Sequence, residues 1–306
     1  MRAGHPSPVV VLKKSHRVHI APKTEPPKRD KPRHLGRAAL IVLLASLFST
    51  LVIHASDVFS TPKSAQLAAI GSLQNALCPP DMVHVPTSTG GFCIDRHEVS
   101  AGEFCANKDP VNQFETNQNI AQQKCIPTAV ADVRPWVNVS MTQAQEICAR
   151  AGKRLPTSGE WYRAALGTPD IVSKDKKYCA LGRTGQSRAD TTGAHGDCIS
   201  SYGAYDMVGN VWEWVDGDIS NGIYDGTPLP DEGYVSETDA DGVPAQTASV
   251  SSASFHDDYF FIDKEGIRAM FRGGFWSMAE KAGVYTVNAT IPTSFVGVAV
   301  GFRCAK

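Results

Sequence analysis

Thiols are the groups in this chain with the widest reactive range, so their placement comes first. The 306 residues include eight cysteines, Cys78, Cys93, Cys105, Cys125, Cys148, Cys179, Cys198 and Cys304, and the first 77 residues contain none. A free thiolate is a nucleophile and a soft-metal ligand, whereas a paired cysteine is a covalent staple. An even number confined to one part of the chain is what an oxidising compartment permits. On the order of 100 connectivities are open to eight cysteines, and the sequence does not choose among them. Proximity suggests Cys78 with Cys93, Cys105 with Cys125 and Cys179 with Cys198, each closing a local loop and contributing roughly 2 to 4 kcal/mol. Zinc would compete for the same thiols, but no C-x-x-C pair occurs. Between Cys198 and Cys304 there is no cysteine at all.

The other candidate groups are dispersed. His84, His97, His195 and His256 do not form the i, i+4 or H-x-H pairs of a local metal site. His256-Asp257-Asp258 is the best local cluster, yet it lies in an acidic stretch where a solvated run is the simpler reading. No G-x-S-x-G, P-loop or H-E-x-x-H motif gives a positive signal for serine hydrolases, NTPases or zincins. Asn138-Val139-Ser140 and Asn288-Ala289-Thr290 match the glycosylation sequon.

Charge and hydropathy divide the chain. The net charge of -1 gives no bulk affinity for nucleic acid, but residues 1–37 carry ten Lys or Arg against Glu25 and Asp30. With few large apolar residues, such a tail cannot offset its ordering entropy and is read as disordered. Residues 38–55, AALIVLLASLFSTLVIHA, contain no Asp, Glu, Lys or Arg. As a helix they span about 27 Å, enough for the hydrocarbon core of a bilayer. The positive-inside bias puts residues 1–37 in the cytoplasm and the C-terminal part in the periplasm or outside the cell. A cleaved signal peptide ending near Ile53-His54-Ala55 is the alternative, but the basic leader is long for that role, which favours a single-pass signal-anchor. The basic tail also suits anionic lipid head groups.

The exported part begins with a stalk over 56–77, with a short helix over 65–77. Two short strands then flank the turn composition Pro86 to Gly91. Ser140 with Gln143 forms a capping box that predicts a helix from Met141 to Ala151 with Gly152 as its stop. Thr157 with Glu160 forms a second, opening a helix that ends at Gly167. Gly217 to Ile267 holds eleven acids and the single base Lys264, the pattern of a long surface excursion.

Five segments follow one another in a recognisable order: Gly91-Phe92-Cys93-Ile94-Asp95, Gly152-Lys153-Arg154-Leu155-Pro156-Thr157, Gly209-Asn210-Val211-Trp212-Glu213-Trp214, Arg272-Gly273-Gly274-Phe275-Trp276 and Gly301-Phe302-Arg303-Cys304. Together they resemble the formylglycine-generating enzyme (sulfatase-modifying factor) family, over about residues 78–306. The resemblance implies an α+β, irregular mixed fold of the C-type-lectin-like kind, here preceded by one transmembrane helix. It also matches Cys148 to Cys304, and Asp95 to Ser100 to the family's opening strand, with a helix beginning near Ala101.

The family's oxygen chemistry uses two copper-binding cysteines, which by ungapped counting fall on Met278 and Gly283. Cu(I) prefers thiolates, and one thioether supplies neither the charge nor the second ligand. The resemblance therefore implies a pseudoenzyme for formylglycine formation, a module that binds a peptide, glycan or protein partner. In the family the Gly-Asn turn also holds structural Ca2+. Here Asn210 and Glu213 would supply side chains and Val208, Gly209 and Val211 backbone oxygen, the hard donors calcium needs. A ligand surface would lie between Gly274 and Gly301, with Phe275, Trp276, Tyr285 and Asn288 as contacts. The alternative is an oxidoreductase of the non-haem iron type, as in the related ergothioneine sulfoxide synthases, with iron held by dispersed His, Asp or Glu.

Overall fold

The computed structural model describes residues 77–306. The expected basic tail, membrane span and stalk, apart from its last residue, lie outside the described residues. Among those described, no helix is long and apolar enough to cross a membrane.

The element order is mixed α+β with few helices. Strands β1 (Met82–Val85) and β2 (Phe92–Asp95) form the expected antiparallel hairpin, with Val85 opposite Phe92. Strands β3 (Ser100–Ala101) and β4 (Pro127–Thr128) form a second small pair. Ala101 therefore continues as strand, and the helix expected there starts later, as α1 (Gln113–Ala121). The reason is local: Ala101 is held opposite Pro127, and the Asn112 side chain accepts from the Glu115 amide to start the helix instead.

Both capping boxes form as expected. They open α2 (Met141–Arg150) and α3 (Ser158–Ala165), with side chain and backbone reciprocally bonded at Ser140/Gln143 and Thr157/Glu160. Each helix ends before a glycine in the left-handed region, Gly152 at φ 65° and Gly167 at φ 81°.

The principal sheet has nine strands: β5 (Trp212–Ser220), β6 (Ile223–Tyr224), β7 (Thr227–Pro228), β8 (Gly233–Thr238), β9 (Pro244–Ala248), β10 (Tyr259–Ile262), β11 (Ile267–Arg272), β12 (Val287–Ile291) and β13 (Val300–Phe302). Their order is β7-β6-β5-β11-β12-β10-β8-β9, with β13 also on β5; β10–β12 and β13–β5 are parallel and the other pairs antiparallel. The segment from Gly217 to Ile267 is thus no surface excursion, because it supplies β6 to β10 and much of β5. Within it, Tyr-Phe-Phe-Ile and Tyr-Val pack as strands, with Val235 and Phe260 fully buried. Many of its acids sit on turns and exposed strand positions, which is why composition alone reads it as loop.

Two apolar clusters pack about this sheet. One gathers Trp161, Val215, Phe260 and Met270; the other gathers Trp136, Trp214, Phe271 and Phe302. All eight cysteines are paired: Cys78–Cys93, Cys105–Cys125, Cys179–Cys198 and Cys148–Cys304. The last joins α2 to the chain just beyond β13, across a separation of 156 residues against 19 for Cys179–Cys198. In the chain-entropy model a cross-link stabilises by restricting the unfolded chain, more so for a longer loop. Replacing Cys148 and Cys304 together by alanine is expected to cost about 2 kcal/mol more than replacing Cys179 and Cys198, measured by urea unfolding under oxidising conditions. Equal losses would refute loop length as the controlling variable.

Candidate functional site

The motifs singled out in the sequence meet at a buried ionic centre. Gly301-Phe302-Arg303 lies on and just after β13, which runs parallel to β5, so Arg303 leaves the sheet beside Glu213. Its guanidinium is fully buried and forks onto Glu213, Nε to Oε2 at 2.6 Å and Nη2 to Oε1 at 2.5 Å. Nη1 and Nη2 also donate to the carbonyls of Asp95 (2.9 Å) and Tyr205 (2.8 Å). Trp161 Nε1 donates to the same Glu213 Oε2 at 2.6 Å. The Glu213 carboxylate is thus shared between an arginine and an indole. Removing one partner of such a pair leaves an uncompensated buried charge.

Around this pair lie further acids. Glu98 is fully buried, and both its oxygens face the Asn210 amide nitrogen, at 3.0 and 2.9 Å. Asn210 Oδ1 accepts from the Asp190 amide at 2.9 Å. Asp206 Oδ2 accepts from the Gly193 amide at 2.6 Å, while its Oδ1 is buried with no partner. Burial, with the neighbouring Asp206 and Glu213 carboxylates, pushes the Glu98 carboxyl well above the usual range. Burial alone is the main cause that pushes Asp206 up to about 6. Asp95 also rises to about 6 through burial, opposed by the Lys153 ammonium 2.6 Å from its Oδ1. His97 stacks on Tyr205 at 4.9 Å; burial first, then Arg303 and Arg96, lower it to about 4, so it is neutral at pH 7.

The turn ahead of β5 explains the Gly-Asn pair. Gly209 has φ 78°, and a Cβ there would stand 2.3 Å from the Ala180 carbonyl oxygen, so only glycine fits without movement. Asn210, at φ 49°, donates its amide to Ala180 and accepts from the Trp276 amide at 3.1 Å. Val208, Gly209 and Val211 are buried in the same turn. The structure therefore brings Asn210 and Glu213 into one acidic neighbourhood but commits both side chains to protein partners. Sequence reasoning missed Glu98 and Asp206. Their signal was present, since Asp206 lies three residues before the Gly-Asn segment and Glu98 lies in the segment matched to the family's opening strand. Among the described residues, no three His, Cys, Asp or Glu side chains are grouped to hold a metal ion.

The place counted for the copper-binding cysteines holds different chemistry. Met278 is half-buried and packs on both main clusters. Gly283 is covered by Asp258: a Cβ added at Gly283 would lie 2.1 Å from Asp258 Oδ1. Asp258 Oδ2 accepts from the Tyr285 amide at 2.7 Å, and its Oδ1 has no partner. Burial pushes this carboxyl well above its ordinary value, with Asp170 adding to the rise. No cysteine among the described residues is free.

Of the expected ligand contacts, Phe275, Tyr285 and Asn288 are half-buried and Trp276 is fully covered. Trp276 is buried, its Nε1 donating to the Gln186 carbonyl at 3.0 Å, and Phe275 packs edge-on against it at 5.3 Å. Tyr285 is half-buried among Tyr162, Phe255 and His256. Asn288 lies on β12, its Oδ1 accepting from the Thr290 amide and hydroxyl. The histidines stay apart: His195 contacts Asp190 and the Lys176 carbonyl, and His256 pairs with Asp170.

Replacing Arg303 with methionine, which keeps apolar bulk but strands Glu213 without its charge partner, is expected to cost roughly 3 to 5 kcal/mol in denaturant unfolding. The double variant Arg303→Met/Glu213→Gln should recover part of that loss. A single variant as stable as the parent would show that the pair is not what joins β13 to β5.

Comparison with known proteins agrees with this framework. The model of the Sulfatase-modifying factor enzyme 1-like domain matches residues 67–306. The inactive C-alpha-formylglycine-generating enzyme 2 of Bos taurus is 35% identical over 95 residues, 26% of this chain and 32% of the relative. The formylglycine-generating enzyme of Thermomonospora curvata is 32% identical over 97 residues, with the same shares. The hercynine oxygenase of Mycobacterium tuberculosis is 36% identical over 91 residues, 26% of this chain and 21% of the relative. The chain thus spans a third or less of the length of these curated relatives. With the matched domain covering residues 67–306 and the family's motifs converging on one buried centre, the chain belongs to the sulfatase-modifying factor enzyme 1-like family.

Proposed function

We propose that this chain is an exported, membrane-anchored member of its family that does not generate formylglycine and instead binds a peptide, glycan or protein partner. The observation that carries the reading is the absence of a thiolate where the family's copper pair is counted. Met278 and an Asp258-covered Gly283 stand there, and all eight cysteines are spent in disulfides. Cu(I) needs soft ligands, and a carboxyl oxygen and a lone thioether do not supply a thiolate pair. Similarity to a relative named inactive is consistent with this reading. Anchoring rests on the basic 1–37 and apolar 38–55 segments of the sequence, and export on the cysteine distribution.

Structural Ca2+ at the Gly-Asn turn belongs to the same proposal. The unpartnered Asp206 Oδ1 and the raised carboxyls of Glu98 and Asp206 are what an acidic pocket without its cation would display. Asp206 would then offer its unpartnered Oδ1, with backbone oxygen from the turn at Val208, Gly209 and Val211, while Glu98, Asn210 and Glu213 would have to exchange their present partners to join it. The ion's role would be charge neutralisation, not catalysis. The non-haem iron reading draws on the likeness to a hercynine oxygenase, while no histidine cluster among the described residues favours it.

Two outcomes follow. The purified chain, produced under oxidising conditions and supplied with copper, is expected to leave a cysteine-bearing sulfatase peptide unchanged by mass spectrometry. One tightly held Cu(I) per molecule with formylglycine formed would refute the non-catalytic reading, and stoichiometric iron would favour the oxidoreductase.

The second concerns pH. Asp206 titrates near 3.8 unfolded and about 6 folded, so the fold holds its proton more tightly. Without metal, the Asp206 contribution to stability should therefore rise as pH falls from 7 through 6 toward 4, opposed over the same window by His97, which the fold holds at about 4 against 6.5. Asp206→Asn is expected to weaken that rise, and saturating Ca2+ at pH 7 to raise the unfolding temperature of the parent but not of the variant. A parent indifferent to Ca2+ and EGTA would remove calcium from the proposal.

A further inference from the structure

The period-two alternation of β10 places Tyr259 and Phe261 on one face of the sheet and the fully buried Phe260 on the other. On β8, Tyr234 stands directly opposite Tyr259 in the antiparallel register, and the two rings meet edge-on at 5.1 Å. Tyr259 and Phe261 are 4.6 Å apart, tilted by 50°. Three aromatic rings thus form one wall, and none of them is fully buried.

A cation already sits against this wall. The Lys281 ammonium lies 3.8 Å from the centre of the Tyr259 ring, 5.5 Å from Tyr234 and 6.0 Å from Phe261. Its backbone is pinned to the same strand: the Thr286 hydroxyl donates to the Lys281 carbonyl at 2.8 Å and accepts from the Tyr259 amide at 3.4 Å. Among the described residues no salt bridge to a carboxylate is formed by Lys281, and its ammonium faces the rings instead. An adjoining cleft of about 590 Å³ is lined by Tyr234, Phe261, Met278 and Lys281, with the Asp257 and Glu280 carboxylates also in its lining. The Glu232 carboxylate lies beside the Tyr259 hydroxyl.

We propose that Tyr234, Tyr259 and Phe261 form a binding cage for a quaternary ammonium of the choline class, and that Lys281 is an internal plug the ligand displaces. The ring quadrupoles attract any cation within about 6 Å. A primary ammonium is compact and strongly hydrated, so its gain at a ring face is partly offset by lost hydration. A quaternary ammonium is weakly hydrated and spreads its charge over methyl groups that pack on three rings, which favours it over the tethered lysine. The carboxylates in and beside the cleft add long-range attraction for a cation. Once displaced, Lys281 has open solvent to enter, since its residue is exposed. The cage deepens the binding reading above and rests on it only in giving that module a ligand class; it does not depend on copper or calcium.

The plug makes the test specific. A plugged site binds with an affinity reduced by the fraction of molecules in which it is open. Choline titrated into the purified full chain, in a choline-free non-ionic detergent, should bind weakly by calorimetry. Lys281→Ala is expected to tighten that binding by about tenfold or more. Tyr259→Leu in the Lys281→Ala background should abolish it, and ethanolamine, the primary-amine analogue, should bind the unplugged variant at least about tenfold more weakly than choline. Tyr234→Leu in the same background serves as a second cage variant, and unfolding temperatures matched to the parent show that each protein is folded. A folded Lys281→Ala protein that ignores choline, or that binds it equally after either ring is removed, overturns the cage. Equal affinity for ethanolamine overturns the quaternary assignment. If the cage fails while the sulfatase peptide also stays unreacted, the binding reading stands without it.

Discussion

The Arg303–Glu213 pair is the constraint on which the molecule turns. A guanidinium with no exposure to water must have its charge balanced and its donors filled, and one glutamate and two carbonyls do this together, while the Trp161 indole donates to the same glutamate. Satisfying it fixes the parallel placement of β13 on β5, draws the end of β2 to the same spot through the Asp95 carbonyl, and seats α3 through Trp161. The Cys148–Cys304 bond then locks the neighbouring residue to α2. Motifs far apart in sequence are therefore parts of one charge-neutralising arrangement.

A second arginine solves a similar problem differently. Arg272, fully buried at the end of β11, has no direct carboxylate partner. It donates to the carbonyls of Ser158 and Gly242, to the Ser158 hydroxyl at 2.7 Å, and lies over the Trp161 and Tyr162 rings. Burial lowers it to about 10, which still leaves it charged at pH 7. Gly273 follows at φ 90° against the Met207 carbonyl, where a Cβ would approach to 2.6 Å. The Arg-Gly-Gly segment thus reads as a junction between α3, the Gly-Asn turn and the sheet, and its composition is explained without catalysis.

Where relatives would place soft-metal chemistry, this chain has a buried acid. Asp258 occupies the space over Gly283 and takes the Tyr285 amide, so a cysteine at position 283 would have to expel it. In the same interval Met278 packs against both apolar clusters. Binding surfaces in this chain are then better sought on strand faces, as with the Tyr234–Tyr259 pair, than in a reaction pocket.

The sequence alone determined what depends on local pattern and short spacing. The two capping boxes, the first hairpin, the three short-range disulfides and, through resemblance, Cys148–Cys304 are all present as expected. It misjudged Gly217 to Ile267, because net acidity and turn residues masked strands that pair with one another and are tied to β11 through β5 and to β12 through β10, and it placed a helix at Ala101 where a cross-strand contact with Pro127 prevails. It counted Trp276 as a surface contact, and tertiary packing buried it. Only the three-dimensional fold decided that Glu98, Asp206 and Glu213 share one low-dielectric neighbourhood, that Asp258 covers Gly283, and that a lysine rests on three rings. Each of those is a long-range electrostatic or packing outcome, and the energy of a buried charge depends on neighbours that sequence separation does not reveal.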